Sequence, residues 1–143
     1  AIVGPTMFTL YEVGTIKDVT LDNGANRRYV SVDGGMSDNL RPALYDAQYF
    51  AALANRTSSA PKISSRIVGK HCETGDILIR EIELESDIVP GDLLATPATG
   101  AYGRSMATNY NHVPRPPVIA VKDGKARVIL RRETEADLLG LDI

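Results

Sequence analysis

One stretch, Gly69-Lys70-His71-Cys72-Glu73-Thr74-Gly75-Asp76, carries the single cysteine of the chain and one of its two histidines. Three chemistries fit such a cluster: a metal site, a reactive thiol, or a buried cysteine beside a turn. Tetrahedral zinc needs three or four ligands, and a strand would point the neighbours His71 and Cys72 to opposite faces. His112, the other histidine, lies far along the chain among prolines. Ligand number and spacing therefore both speak against a metal. A lone cysteine is most often a small buried hydrophobe. Against that, Cys72 falls where a strand runs into the turn Glu73-Thr74-Gly75-Asp76, and such ends lie on the surface where sites are built. The carboxylate of Glu73 beside it disfavours a thiolate, so Cys72 is better suited to donate a proton than to attack as a nucleophile.

Two further spots hold chemistry-bearing side chains. Arg41 precedes a proline, which biases it toward an extended backbone and leaves its fork free for a carboxylate; a solvated surface arginine is the plain alternative. Tyr45 follows four residues later and shares a face with Arg41 if the segment is helical. Tyr102 stands in Gly100-Ala101-Tyr102-Gly103, where a helix can begin and present backbone amides to an anion. That stretch lacks the spacing of a P-loop or of GxGxxG, so alone it is a weak signal. Lys17, Lys62, Lys70, Lys122 and Lys125 fall in turns or alternating strands, and none stands out as a Schiff-base former.

The elements that must position these residues are mostly strands. Residues 2–20 are rich in Val, Ile, Thr, Tyr and Phe, with Gly4-Pro5 and Gly14 as kinks or bulges. Asp22-Asn23-Gly24 marks a hairpin, residues 28–33 return as its partner, and Gly34-Gly35 end it. Residues 37–45 read as a cap and a short helical turn, and 48–54 as a weak strand. Further strands are expected over 65–71, 77–84 and 93–97, with a turn at Val89-Pro90-Gly91-Asp92 and a short helix within 98–109. Residues 118–131 form a hairpin turned by Asp123-Gly124. Residues 133–141 close the chain as a helix capped by Thr134, with Asp137 three residues on. The bottom-up architecture is a mainly β domain, a small barrel or sandwich with a few short helices.

Composition bounds the rest. The 143 residues suit one domain, 1–143, with one core. Hydrophobic residues make up 43% and charged residues 24%, values that exclude a disordered or coiled-coil chain. No apolar run is long enough to cross a membrane, and the apolar opening lacks the basic lead-in of a signal peptide. A net charge of −2 with mixed signs argues against nucleic acid as a partner. One cysteine allows no internal disulfide, which suits the cytoplasm.

Taken in order, residues 29–49 (YVSVDGGMSDNLRPALYDAQY), 69–78 (GKHCETGDIL) and 93–111 (LLATPATGAYGRSMATNYN) resemble the C-terminal part of bacterial diaminopimelate decarboxylases. The opening AIVGPTMFTLYEVGTIKDV and the ending RVILRRETEADLLGLD are similar to that family as well. Ornithine and arginine decarboxylases and alanine racemases share only the general layout. The resemblance implies a pyridoxal 5'-phosphate-binding (β/α)8 barrel ahead of a β-rich domain of the alanine-racemase C-terminal type. A barrel takes about 200 residues or more, so the chain is expected to be the C-terminal domain of a longer decarboxylase. Without the barrel's Schiff-base lysine it is expected to be inactive alone. The resemblance further implies roles by position. Cys72 is the proton donor after CO2 leaves. Glu73 contacts the distal ammonium of meso-2,6-diaminopimelate, Arg41 and Tyr45 its distal carboxylate. Tyr102 contacts both cofactor and substrate. It implies a homodimer in which the Cys-Glu motif reaches into the partner's site, and lysine formation as the outcome. A decarboxylase for ornithine, arginine or carboxynorspermidine, or an inactive regulatory homologue, are the rival readings. A regular strand through residues 71–73 would send Cys72 and Glu73 to opposite faces. The strand is therefore expected to end or bulge there, helped by Gly75. Apolar surface facing the absent barrel is expected to stand exposed.

Overall fold

A computed structural model describes residues 2–143. Its strands are β1 (Phe8–Thr20), β2 (Asn26–Val32), β3 (Ala52–Leu53), β4 (Lys62–Val68), β5 (Ile77–Glu85), β6 (Leu93–Pro97), β7 (Val118–Lys122) and β8 (Lys125–Leu130). Three short helices, α1 (Arg41–Tyr45), α2 (Gly103–Met106) and α3 (Glu135–Leu139), lie among them. The first six strands form one sheet in the order β3-β6-β1-β2-β4-β5, and β7-β8 form a separate hairpin. Among the described residues only β2 and β4 pair in parallel. The mainly β architecture expected from the sequence is thus a single sheet curled as a half-barrel, with a detached hairpin.

The curl starts in β1. Its register against β2 shifts between Val13 and Ile16, and Gly14 lies at the shift. A Cβ on Gly14 would sit 3.0 Å from the Ser31 hydroxyl, which donates to the Thr15 carbonyl at 3.0 Å. The irregularity lets one strand serve two neighbours. Residues 8–12 pair with β6, and the stretch from Val13 onward pairs with β2. Gly4-Pro5-Thr6 does not extend the strand as expected. The fixed φ of Pro5 starts a 3-10 turn instead, and β1 begins at Phe8.

The hairpins follow local turn chemistry. Between β1 and β2, Gly24 takes φ +81° and Asn23 Oδ1 accepts the Ala25 amide at 3.0 Å. Between β7 and β8, Asp123 (φ +51°) and Gly124 (φ +71°) make a two-residue turn of the twist that suits paired strands. Thr134 caps α3, where the Asp137 carboxylate accepts the Thr134 amide at 2.8 Å and Thr134 Oγ1 accepts the Asp137 amide at 3.4 Å.

The core gathers Tyr11 and Val13 of β1, Val30 and Val32 of β2, Ile67 of β4, and Leu94 of β6 with their neighbours. Leu94 and Val30 are fully buried. β8, by contrast, is exposed along its whole length, including Val128, Ile129 and Leu130. Phe8 and Leu10 at the start of β1 are exposed as well. No helix among the described residues is long and apolar enough to cross a membrane.

Candidate functional site

The three chemistry-bearing stretches meet in space, and the glycines show how. After β2 ends at Val32, Gly34 and Gly35 pass where no side chain fits. A Cβ on Gly34 would collide with the Tyr11 ring, and one on Gly35 would lie 2.7 Å from both carboxylate oxygens of Asp76. The chain then turns on itself, with the amides of Asp38 and Asn39 both donating to the Gly35 carbonyl (3.1 and 3.0 Å). Asp38 closes the turn from the side. Its Oδ1 accepts the Gly35 amide at 2.7 Å and its Oδ2 accepts the Tyr11 hydroxyl at 2.6 Å. Burial is the main force holding the Asp38 carboxyl above the usual carboxylate range, with the Tyr11 bond opposing it. Burial, then the field of Asp38, pushes the Tyr11 phenol well above its ordinary value. This anchored turn delivers α1. Arg41 is the first residue of the helix, not extended as its place before a proline suggests; Pro42 follows in the first turn, and Asp46 ends the helix in the left-handed region at φ +53°. As the spacing predicts, Arg41 and Tyr45 share a face, and the guanidinium lies 5.7 Å from the ring centroid.

The second stretch leaves the sheet earlier than expected. β4 stops at Val68, so residues 69–71 are not strand. The Gly69 amide donates to the Asp76 carbonyl (2.8 Å), the Lys70 amide crosses to the Gly34 carbonyl (3.0 Å), and the Glu73 amide folds back on the His71 carbonyl (2.8 Å). Cys72 and Glu73 are both exposed on this turn, so the expected break in the strand exists. Its cause is different from the one anticipated. A Cβ on Gly75 would meet nothing within 4 Å, whereas one on Gly69 would collide with the Asp76 carboxylate. The glycine that the turn requires is Gly69. His71, 9% exposed, is part of the interior. Its Nε2 shares a hydrogen bond with Ser37 Oγ at 2.9 Å, and its ring meets Tyr110 edge-on at 5.3 Å. Among the described residues no group of three or more His, Cys, Asp and Glu is placed to hold a metal ion.

The third stretch is strained. Ala98 and Tyr102 have φ of +61° and +65°, a region unfavourable to side chains with a Cβ. The loop between them is held against the N-terminal 3-10 turn, with the Thr99 amide on the Met7 carbonyl (3.2 Å) and the Gly100 amide on the Gly4 carbonyl (3.1 Å). Gly100 has no space for a Cβ beside the Val3 carbonyl. Tyr102 caps α2 and stands 65% exposed. α2 is a single turn of four residues, too short to build the dipole of an anion site. Beyond it the Thr108 amide donates to the Ser37 carbonyl at 2.8 Å.

Ser37 is thus where the three stretches join. Their backbones converge, but the expected site side chains form separate groups: Arg41 with Tyr45, Cys72 with Glu73, and Tyr102 alone. No hydrogen bond or ion pair links the groups among the described residues. Residues to which the sequence reading gave no role hold the scaffold, namely Asp76, Asp38 with Tyr11, and Ser37; His71, weighed there as a metal ligand, is a structural group. The paired glycines at 34–35 and the lone Gly69 were the available signal, since each marks a close approach. For pyridoxal phosphate the described residues offer the exposed phenol of Tyr102 and no phosphate cradle. They fit contact with a cofactor held mainly elsewhere.

The chain has relatives among known proteins along its whole length. The family described as pyridoxal-dependent decarboxylase, C-terminal sheet domain, matches residues 4–100. The chain is 59% identical to the diaminopimelate decarboxylase of Mycobacterium tuberculosis over 143 residues, all of this chain and 32% of that protein. Among solved structures, diaminopimelate decarboxylase from M. jannaschii superposes with a TM-score of 0.89 at 34% identity, over 99% of this chain and 31% of that one. That of Helicobacter pylori complexed with L-lysine gives 0.83 at 35% identity, over 99% and 33%. The chain spans about a third of the length of these relatives.

Proposed function

Because the chain belongs to the family of pyridoxal-dependent decarboxylase C-terminal sheet domains, we propose that it serves as the C-terminal domain of a meso-2,6-diaminopimelate decarboxylase forming L-lysine and CO2. What supports this reading most is identity of 59% across the whole chain with a protein of that activity, together with an exposed Cys72-Glu73 turn. Pyridoxal phosphate, held mainly by a barrel domain and met here by Tyr102, would supply the electron sink that decarboxylation needs. The residues of this chain do the rest. The Cys72 Sγ–H bond breaks, and its proton forms the new C–H bond at the α-carbon. The thiolate left behind recovers a proton from solvent. Glu73 receives the distal ammonium and Arg41, with Tyr45, the distal carboxylate, by charge-assisted hydrogen bonds. A substrate without those distal groups leaves both charges unpaired, which discriminates strongly against it. Tyr102 contacts substrate and cofactor from its strained loop.

The separation of the three groups on one chain suits a site completed by a second subunit, with Cys72 and Glu73 reaching into the partner's cofactor-bearing half. The test is CO2 release from meso-diaminopimelate by the full-length polypeptide beside its Cys72→Ala variant. Release by the parent and a fall of at least about 100-fold in the variant, the scale of a lost general acid, is the expected result. Equal release by both removes Cys72 from its role. No release by a folded parent loaded with pyridoxal phosphate overturns the substrate assignment.

A further inference from the structure

We propose that Asp76 is a positioning residue of this site, a buried carboxylate that locks the Cys72-Glu73 turn to the loop leading into Arg41. The inference rests on the reading of Cys72 and Glu73 as substrate-facing residues, and it concerns how the turn that carries them is held in place. Asp76 is 3% exposed. Its Oδ1 accepts the Met36 amide at 2.6 Å and its Oδ2 accepts the His71 amide at 2.8 Å. Each oxygen thus takes one backbone N–H from a different stretch. No Arg, Lys or His side chain pairs with it among the described residues, so the negative charge is met by these two amides, in bonds stronger than neutral ones.

The glycines around it are explained by the same carboxylate. Gly35 and Gly69 flank Asp76 from the two stretches, and a Cβ at either position would enter the carboxylate's space. Two glycines far apart in sequence, Gly35 and Gly69, serve one seat. The consequence for the site is direct. The His71 amide is adjacent in sequence to Cys72, and the Met36 amide lies in the turn that delivers α1. The two carboxylate oxygens therefore tie the turn that presents the thiol and Glu73 to the loop before α1, and through it to the body of the domain. A proton donor that must meet the α-carbon while other residues grip the far end of the substrate tolerates little slack, since about 1 Å of misplacement costs on the order of 100-fold in rate.

Asp76→Asn is a discriminating variant, because the shape is kept while the amide nitrogen cannot accept an N–H. In the full-length enzyme we would follow amide hydrogen exchange at Met36 and His71, and alkylation of Cys72 by iodoacetamide on its tryptic peptide, residues 71–80. Turnover of meso-diaminopimelate would be measured on the same sample. The variant is expected to fold and to load cofactor normally, as the visible absorbance of bound pyridoxal phosphate will report. Exchange at one or both amides should rise by about 10-fold or more, the scale of a lost buried hydrogen bond. The alkylation rate should change by at least about threefold, and kcat should fall about 10- to 100-fold with a smaller change in KM. Gly69→Ala should reproduce these effects, and the double variant should lose little more than either single one. Wild-type exchange at both amides would show that no such lock exists. Faster exchange with wild-type kcat and alkylation would reduce Asp76 to a purely structural group. Additive losses in the double variant would separate Gly69 from Asp76. If the parent enzyme does not act on meso-diaminopimelate, the functional reading fails. The exchange and alkylation results still decide whether Asp76 holds the thiol in place.

Discussion

Replacing Tyr11 by phenylalanine removes one oxygen from the interior and leaves the ring over Gly34. The hydroxyl is a 2.6 Å donor to Asp38 Oδ2, and the remaining bond of that carboxylate is from the Gly35 amide to Oδ1. Tyr11 is 3% exposed, so water does not readily replace the lost donor. Leaving a buried acceptor half-satisfied costs about 1–3 kcal/mol, and urea unfolding of wild type and variant across pH measures it. The pH dependence follows from the two shifts. The folded-state pKa of Tyr11 is raised, so its contribution is fully present below the unfolded value of about 10 and is lost as pH rises through the folded value. The limit is one proton, about 1.4 kcal/mol per pH unit. The variant lacks that loss, so the gap between the two proteins should narrow above about pH 10. Asp38 is also raised, chiefly by burial and against the Tyr11 bond. Without the phenol it should rise further. Stability linked to a raised group is present below its unfolded value and lost as pH rises, so the gap should open above about pH 4. A gap that does not vary with pH, or a total loss below about 0.5 kcal/mol, the level of an ordinary surface change, would refute this account of the site loop.

Leu94→Ala, at a fully buried position between β1 and β3, should cost about 2–5 kcal/mol. The urea midpoint should fall with little change in slope; a loss under about 1 kcal/mol would contradict its place at the centre of the core. Glu133 is held at about 2 by Arg115, with Asn109 adding a further hydrogen bond. Its folded-state pKa is depressed, so its stabilisation is present above the unfolded value of about 4.3 and is lost as pH falls toward the folded one. Glu133→Gln should lower stability at pH 7 and flatten the acid limb of the stability curve, measured by thermal unfolding between pH 7 and 2.5; an unchanged acid limb would remove Glu133 from that role.

Local chemistry was legible in the sequence wherever a few neighbouring residues decide the outcome. Asp123-Gly124 makes its turn because both positions need positive φ, Thr134 and Asp137 form their cap within one helical turn, and Arg41 meets Tyr45 through a spacing of four. The identity of the candidate site residues came from resemblance of whole motifs, since no local rule assigns a lone cysteine its chemistry. Tertiary structure alone decided where β4 stops, which strands lie beside each other, and why the glycines sit where they do. The Asp76 carboxylate reaches Met36 across a sequence separation of forty residues, and the parallel pairing of β2 with β4 joins strands separated by α1 and β3. Periodicity and propensity describe a residue and its near neighbours, whereas a buried carboxylate must find its donors wherever the folded chain brings them. That long-range requirement ended β4 at Val68 and made Gly69 the essential glycine.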